Sequence, residues 1–142
     1  MSTRVRWLSR FLLVMILVVS GVGRAPLVSA AQNPVPAAEA DVRDALQRYT
    51  AALESLDVNA VRKVQPSIPA DSLAKAFRDM RELDVTIDMV RILSLDGATA
   101  RVSCRVMQTL TPRAGAKRTT TVTRVMRLKR TPDVWIIDGF ER

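Results

Sequence analysis

Tyr49 is the only tyrosine in the chain, and Asp138 is the one carboxylate that the sequence pattern does not place on a water-facing surface. A carboxylate that projects into an apolar pocket has its pKa raised by desolvation, and beside a phenol it makes a pair suited to moving protons. A core tyrosine hydrogen-bonded to the sheet is the ordinary alternative. Arg124 is the second residue with chemistry to offer. The register Val122, Arg124, Met126, Leu128 puts it on an apolar strand face, where a guanidinium would grip a carboxylate or phosphate with two parallel hydrogen bonds. A β-bulge near Arg124, common in long curved strands, would instead turn the side chain outward. Cys104 alternates with Val102 and Val106 and is expected to pack as a small hydrophobe. A reactive thiol needs a cationic neighbour and access to water, and Arg105 faces the other way. Trp135, at the start of the last strand, is either pocket wall or core. Tyr49, Cys104, Arg124 and Trp135 are therefore the candidates for lining a ligand pocket.

Other chemistries are excluded by what the chain lacks. Among 142 residues there is no His and one Cys. Ser-His and Cys-His nucleophile pairs and His-ligated zinc are therefore impossible, as are an internal disulfide and a thiolate cluster. No glycine-rich phosphate loop or metal-ligand spacing is present, so neither cofactor nor metal is expected. At 48% hydrophobic and 25% charged residues, the composition is that of a globular protein of one domain.

The N-terminus carries an address. Arg4, Arg6 and Arg10 lead into an apolar run from Phe11 to Val19, and Val28-Ser29-Ala30 provides a small-residue exit. These are the three parts of a secretory signal. A spanning helix needs about 20 apolar residues, and Arg10, Ser20, Gly21 and Gly23 confine this run to fewer. Residues 1–30 are expected to be a signal peptide cleaved after Ala30, leaving an exported chain, periplasmic or extracellular, without an integral membrane span. Cleavage removes Arg4, Arg6, Arg10 and Arg24, so the net charge drops from +8 to +4, with 18 bases against 14 acids.

The elements that must position the candidate residues follow from periodicity. Residues 31–38 hold two prolines and read as a flexible lead. Val42, Ala45, Leu46, Tyr49, Ala52, Leu53 and Leu56 recur at helical spacing. Asp57 caps a second helix with Ala60, Val61 and Val64, closed by Pro66. A third helix opens near Pro69 or Asp71, with the stripe Leu73, Ala76, Phe77 and Met80. The period then falls to two. Val85, Ile87 and Met89 alternate with Asp84, Thr86 and Asp88, and Asp96-Gly97 predicts a type I′ hairpin. The return strand carries Ala98, Ala100, Val102, Cys104 and Val106 on one face, with Thr99, Arg101, Ser103 and Arg105 on the other. A loop around Gly115, a strand from Lys117 to Arg130 and a last strand from Val134 to Phe140 complete the chain. Three helices followed by four antiparallel strands in a meander mean α+β, with helices packed on one face of a curved sheet.

The helix bearing Ala45, Leu46, Tyr49 and Leu53, the Asp57–Val61 helix start, the Val61 to Pro66 stretch and the terminal Trp135-Ile136-Ile137-Asp138 strand resemble the nuclear transport factor 2-like superfamily, closest to its small bacterial members. The resemblance covers roughly residues 39–142. It implies a cone-shaped α+β fold, often dimeric through the bare sheet face, with a pocket between helices and sheet. Its members include isomerases, dehydratases, cyclases and non-catalytic binding domains, and its enzymes use Asp with Tyr, or His with Asp, inside the cone. The superfamily usually inserts a small hairpin before the third helix; here only Pro66-Ser67-Ile68-Pro69 stands there.

Charge completes the reading. Residues 31–95 hold eight bases and ten acids, and residues 96–142 hold ten and four. A basic sheet face of this kind could meet anionic envelope components. It has no exposed aromatics for stacking bases, so nucleic acid is not an expected partner. The leading expectation is an exported small-ligand-binding or interaction module without catalysis. The alternatives are a cofactor-free isomerase or dehydratase using Tyr49 and Asp138, and a basic-surface binder. A homodimer through Thr99, Arg101, Ser103, Arg105, Met107, Thr121, Thr123 and Val125 is expected if acids meet those arginines, and few acids are anticipated there.

Overall fold

The computed structural model describes residues 34–141. The expected signal segment and residues 31–33 lie outside the described residues. Helix α1 spans Pro34–Glu54, α2 Val58–Val64 and α3 Ala70–Arg78. Strands β1 (Met80–Leu95), β2 (Thr99–Pro112), β3 (Arg118–Arg130) and β4 (Trp135–Glu141) follow as one antiparallel sheet in the order β1-β2-β3-β4. The fold is α+β, three helices and an open four-stranded meander.

Helix α1 begins earlier than the sequence suggests and takes in residues 34–38 of the expected lead. Two prolines do not forbid this. The N–H groups of a first helical turn have no partner inside the helix, so Pro34 and Pro36 remove nothing there. Val42, Ala45, Leu46, Tyr49, Ala52 and Leu53 form its buried face. The helix ends at Ser55 and Leu56, where Leu56 takes a positive φ of 53°. Asp57 then caps α2, its carboxylate accepting from the Asn59 N–H at 2.8 Å. No hairpin separates α2 from α3. The short connector is pinned to the sheet instead, the Ser67 hydroxyl donating to the Asp138 carbonyl at 3.1 Å.

Helix α1 packs on β1 and β4, α2 on α1 and β4, and α3 on α2 and β1. At the exposed edge of the sheet, the Glu54 carboxylate accepts the Val85 N–H at 3.0 Å. The helical covering buries Val102, Cys104, Val106, Met126, Leu128, Trp135 and Ile137 in the same core as the α1 stripe, Val61, Leu73 and Phe77. Ala76 faces solvent.

Three local expectations are corrected. Met89 is exposed, with a φ of 49°, because the β1–β2 register shifts between Asp88 and Arg91. An extra residue in one strand breaks the period of two, so Val90 and Ile92 rather than Met89 pack towards the core. Gly97 takes no positive φ. Four residues separate the paired Leu95 and Ala100, and the Asp96 carboxylate organises them by accepting the Ala98 and Thr99 N–H groups at 2.8 and 2.6 Å. The turn is therefore carboxylate-capped rather than type I′. The bare face also holds more acids than anticipated. Asp88 grips Arg105 at 2.7 and 2.6 Å, and Glu141 grips Arg101 at 2.7 and 2.6 Å. Asp138 lies 3.8 Å from Arg127.

Candidate functional site

Unbroken pairing of β2 with β3 from Thr99↔Lys129 to Leu110↔Arg118 settles the orientation of Arg124. No bulge intervenes, so Arg124 lies opposite Cys104 on the helix-covered face. The bulge that matters is on β4. There Leu128 pairs with Ile137 and Arg127 with Gly139, leaving Asp138 as the additional residue. Trp135 and Ile137 point into the core, and after the bulge Phe140 returns to the same side. A bulge re-aims the side chains beyond it, and here it brings a phenyl ring up to the site.

These elements border a cavity of ≈ 250 Å³ between α1 and the sheet, open to solvent on one side and lined by Tyr49, Val106, Gln108, Val122, Arg124 and Phe140. The Arg124 guanidinium lies 5.4 Å from the centroid of the Phe140 ring, close enough for a cation–π attraction. Tyr49 and Phe140 approach in a tilted arrangement, with centroids 6.4 Å apart. Tyr49 is only 6% exposed. Burial pushes its phenol up to about 12, against a smaller opposite pull from the Arg124 charge. The hydroxyl is therefore a neutral donor at any physiological pH.

The sequence candidates divide. Tyr49 and Arg124 come together at this cavity. Cys104 packs beneath it, buried, and burial raises its thiol pKa above the ordinary range, which makes it a poor nucleophile. Trp135 is buried some distance along the sheet and borders a different, smaller hollow of ≈ 110 Å³ with Asp41, Asp44, Arg48, Arg130 and Asp133. The Tyr49–Asp138 pair does not form. Asp138 occupies the bulge and turns its carboxylate to solvent beside Arg127, while Tyr49 is buried beneath α1. The chain has no imidazole to offer, and among the described residues no carboxylate lines the cavity.

Val106, Gln108, Val122 and Phe140 line the cavity without being among the pocket candidates, although the sequence places the two valines on that apolar face. Gln108 had a signal: it follows Val102, Cys104 and Val106 in strict alternation, a polar side chain on an apolar face. Phe140 had one too: Gly139, a lone glycine inside a strand pattern, is a usual mark of a bulge. The basic surface is also less available than its arginine count suggests, because Arg101, Arg105 and Arg127 each meet an acid. Among the described residues, no helix is long and apolar enough to cross a membrane.

No protein-family model matches the chain, and no curated protein does. Solved structures do. A nuclear transport factor 2-like superfamily protein from Salmonella enterica aligns with a TM-score of 0.61 and 14% identity, over 75% of this chain and 92% of that one. A candidate dehydratase of the same family from Streptomyces avermitilis aligns with a TM-score of 0.64 and 17% identity, over 75% and 95%. The hexachlorocyclohexane dehydrochlorinase LinA-type3 from Novosphingobium barchaimii aligns with a TM-score of 0.58 and 8% identity, over 75% and 85%. At such identities the likeness is one of fold, and the fold of this chain is that of the nuclear transport factor 2-like proteins.

Proposed function

We propose that this chain is an exported single-domain module that binds a small molecule in the cavity between α1 and the sheet and does not turn it over. The observation that carries the reading is the cavity itself, with apolar walls from Val106, Val122 and Phe140 and polar groups from Tyr49, Gln108 and Arg124. A few polar groups converging in an apolar hollow is the usual form of a small-molecule site. What favours binding over catalysis is the lining, which holds one phenol with a raised pKa and no base to act with it. The cone shape that the resemblance implies is part of the same proposal.

Val122→Trp tests it. An indole in place of a half-buried valine at the wall should fill the cavity and abolish binding of small aromatic probes, read by calorimetry, while circular dichroism stays native. Equal probe binding by the variant and the parent would place the ligand elsewhere and refute the reading.

Export and assembly are part of the proposal. The mature protein should begin at Ala31 by mass spectrometry, and a chain retaining residues 1–30 in the membrane fraction would contradict this. The ion pairs of Arg101 and Arg105 with Glu141 and Asp88 remove much of the like-charge repulsion that would oppose a twofold contact through the bare sheet face. Light scattering at micromolar concentration should give twice the mass of the mature chain; the mass of a single chain would rule out the dimer.

A further inference from the structure

We infer that the ligand of this cavity is a small carboxylate with an apolar body, its carboxylate held by Arg124 and its body against Val106, Val122 and Phe140. The inference rests on the small-ligand reading above and names the chemistry of what binds.

Arg124 is the argument. Four ion pairs occur among the described residues, and they occupy Arg48, Arg101, Arg105 and Arg127. Arg124 is in none of them. It stands on the helix-covered face, opposite Cys104 in an unbroken register, where every neighbouring inward position of β2 and β3 from Ala100 to Val106 and from Val122 to Leu128 is apolar. Water meets its charge at the cavity mouth before a ligand binds, so a ligand carboxylate finds an arginine with no counter-charge from the described residues to displace. Its guanidinium carbon lies 5.4 Å from the centroid of the Phe140 ring, a cation–π contact that uses none of its N–H groups and leaves them for a two-point grip on a carboxylate.

The rest of the lining selects the ligand. Gln108 supplies an amide, and Tyr49 a neutral hydroxyl whose donor proton is retained because burial raises its pKa. Both suit the second lone pairs of a carboxylate already engaged by Arg124. Inorganic phosphate would bring more charge and more acceptors than one guanidinium, one amide and one phenol can satisfy, and it would leave the Val106, Val122 and Phe140 walls unused. The cavity, at ≈ 250 Å³, falls below the size typical for drug-like ligands, so the apolar body is of the order of a single ring.

The test uses the purified protein with phenylacetate, its uncharged isostere phenylacetamide, and inorganic phosphate, each titrated by calorimetry. Phenylacetate should bind at least about tenfold more tightly than phenylacetamide, the difference a charge-assisted pair makes, and phosphate should neither bind nor compete. Arg124→Gln should reduce phenylacetate to the affinity of the amide, and Arg124→Lys, which keeps the charge and loses the fork, should recover only part of it. Arg124 is solvent-exposed at the cavity mouth, and native circular dichroism of both variants separates lost binding from lost folding. Equal binding of acid and amide, or an undiminished Arg124→Gln, overturns the carboxylate inference while leaving the small-ligand reading intact. Phosphate competing with phenylacetate at equal concentration overturns it in favour of a phosphate site. Absence of binding by both aromatic probes overturns the small-ligand reading together with it.

Discussion

Leu53→Ala should destabilise the protein by about 2–5 kcal/mol, the range for truncating a buried leucine whose surroundings cannot close over the gap. Leu53 lies on the buried stripe of α1, 6% exposed, in the core that contains Leu46, Phe77, Val102, Val106 and Ile137. Helix α1 is the element that joins both ends of the meander, packing on β1 and on β4. A loss of that size is a large share of the stability of an ordinary domain. In a domain of this length each kcal/mol lowers the midpoint by about 4–8 °C, so the thermal transition should fall by about 8–40 °C. Melting followed by circular dichroism reads it directly, and a shift of a degree or two would show that α1 does not seal the core.

Tyr49 provides the second large effect, and it is one of pH. Its phenol is pushed from 10.0 up to about 12 by burial in the folded protein, whereas in the unfolded chain it titrates near 10. The raised value means that folding favours the protonated form. This contribution is fully present below pH 10 and is lost as pH rises from 10 through 12, where the unfolded chain ionises first. Stability should therefore decline across that window by about 1.4 kcal/mol per pH unit from this group. Since Tyr49 is the sole tyrosine, the ultraviolet absorbance of tyrosinate reports it alone. The native protein should show no step near pH 10, and the guanidinium-unfolded protein should show one. A native step at 10 would place Tyr49 in water. Phe140→Ala opens the tilted contact beside Tyr49 and should move the native step downward.

Much of this arrangement could be read from the sequence because two periods carry it. The spacing of Val42, Ala45, Leu46, Tyr49 and Leu53 selects one helical face, and the alternation from Ala100 to Val106 selects one sheet face. Those two patterns suffice to bring Tyr49 over β2. The same alternation, followed without a bulge, places Arg124 on the helix-covered side, where the structure has it. What the pattern cannot carry is an additional residue. The bulge at Met89 shifts the strand by one position until a second, between Ile92 and Ser94, restores it; the bulge at Asp138 shifts Phe140, and of these only the last has a marker, the strand glycine Gly139. For that reason Met89 was expected inside and is exposed, and Phe140 joins the cavity out of alternation. Asp138 was expected inside and faces Arg127 instead. Pairing across strands was also out of reach, so Asp88 with Arg105, and Glu141 with Arg101 from the far end of the chain, could not be set against the count of basic residues.

On the proposed function, the hollow beneath α1 is a binding site. The most direct measurement is a methyl and aromatic NMR titration of the purified protein with phenylacetate. Shifts should concentrate on the Val106 and Val122 methyls and on the Tyr49 and Phe140 rings, the side chains that line the cavity. Shifts centred instead on the separate groove of Ala51, Ala60, Val64 and Val134 between α1, α2 and the β3–β4 turn, or no shift at all, would contradict the proposed function.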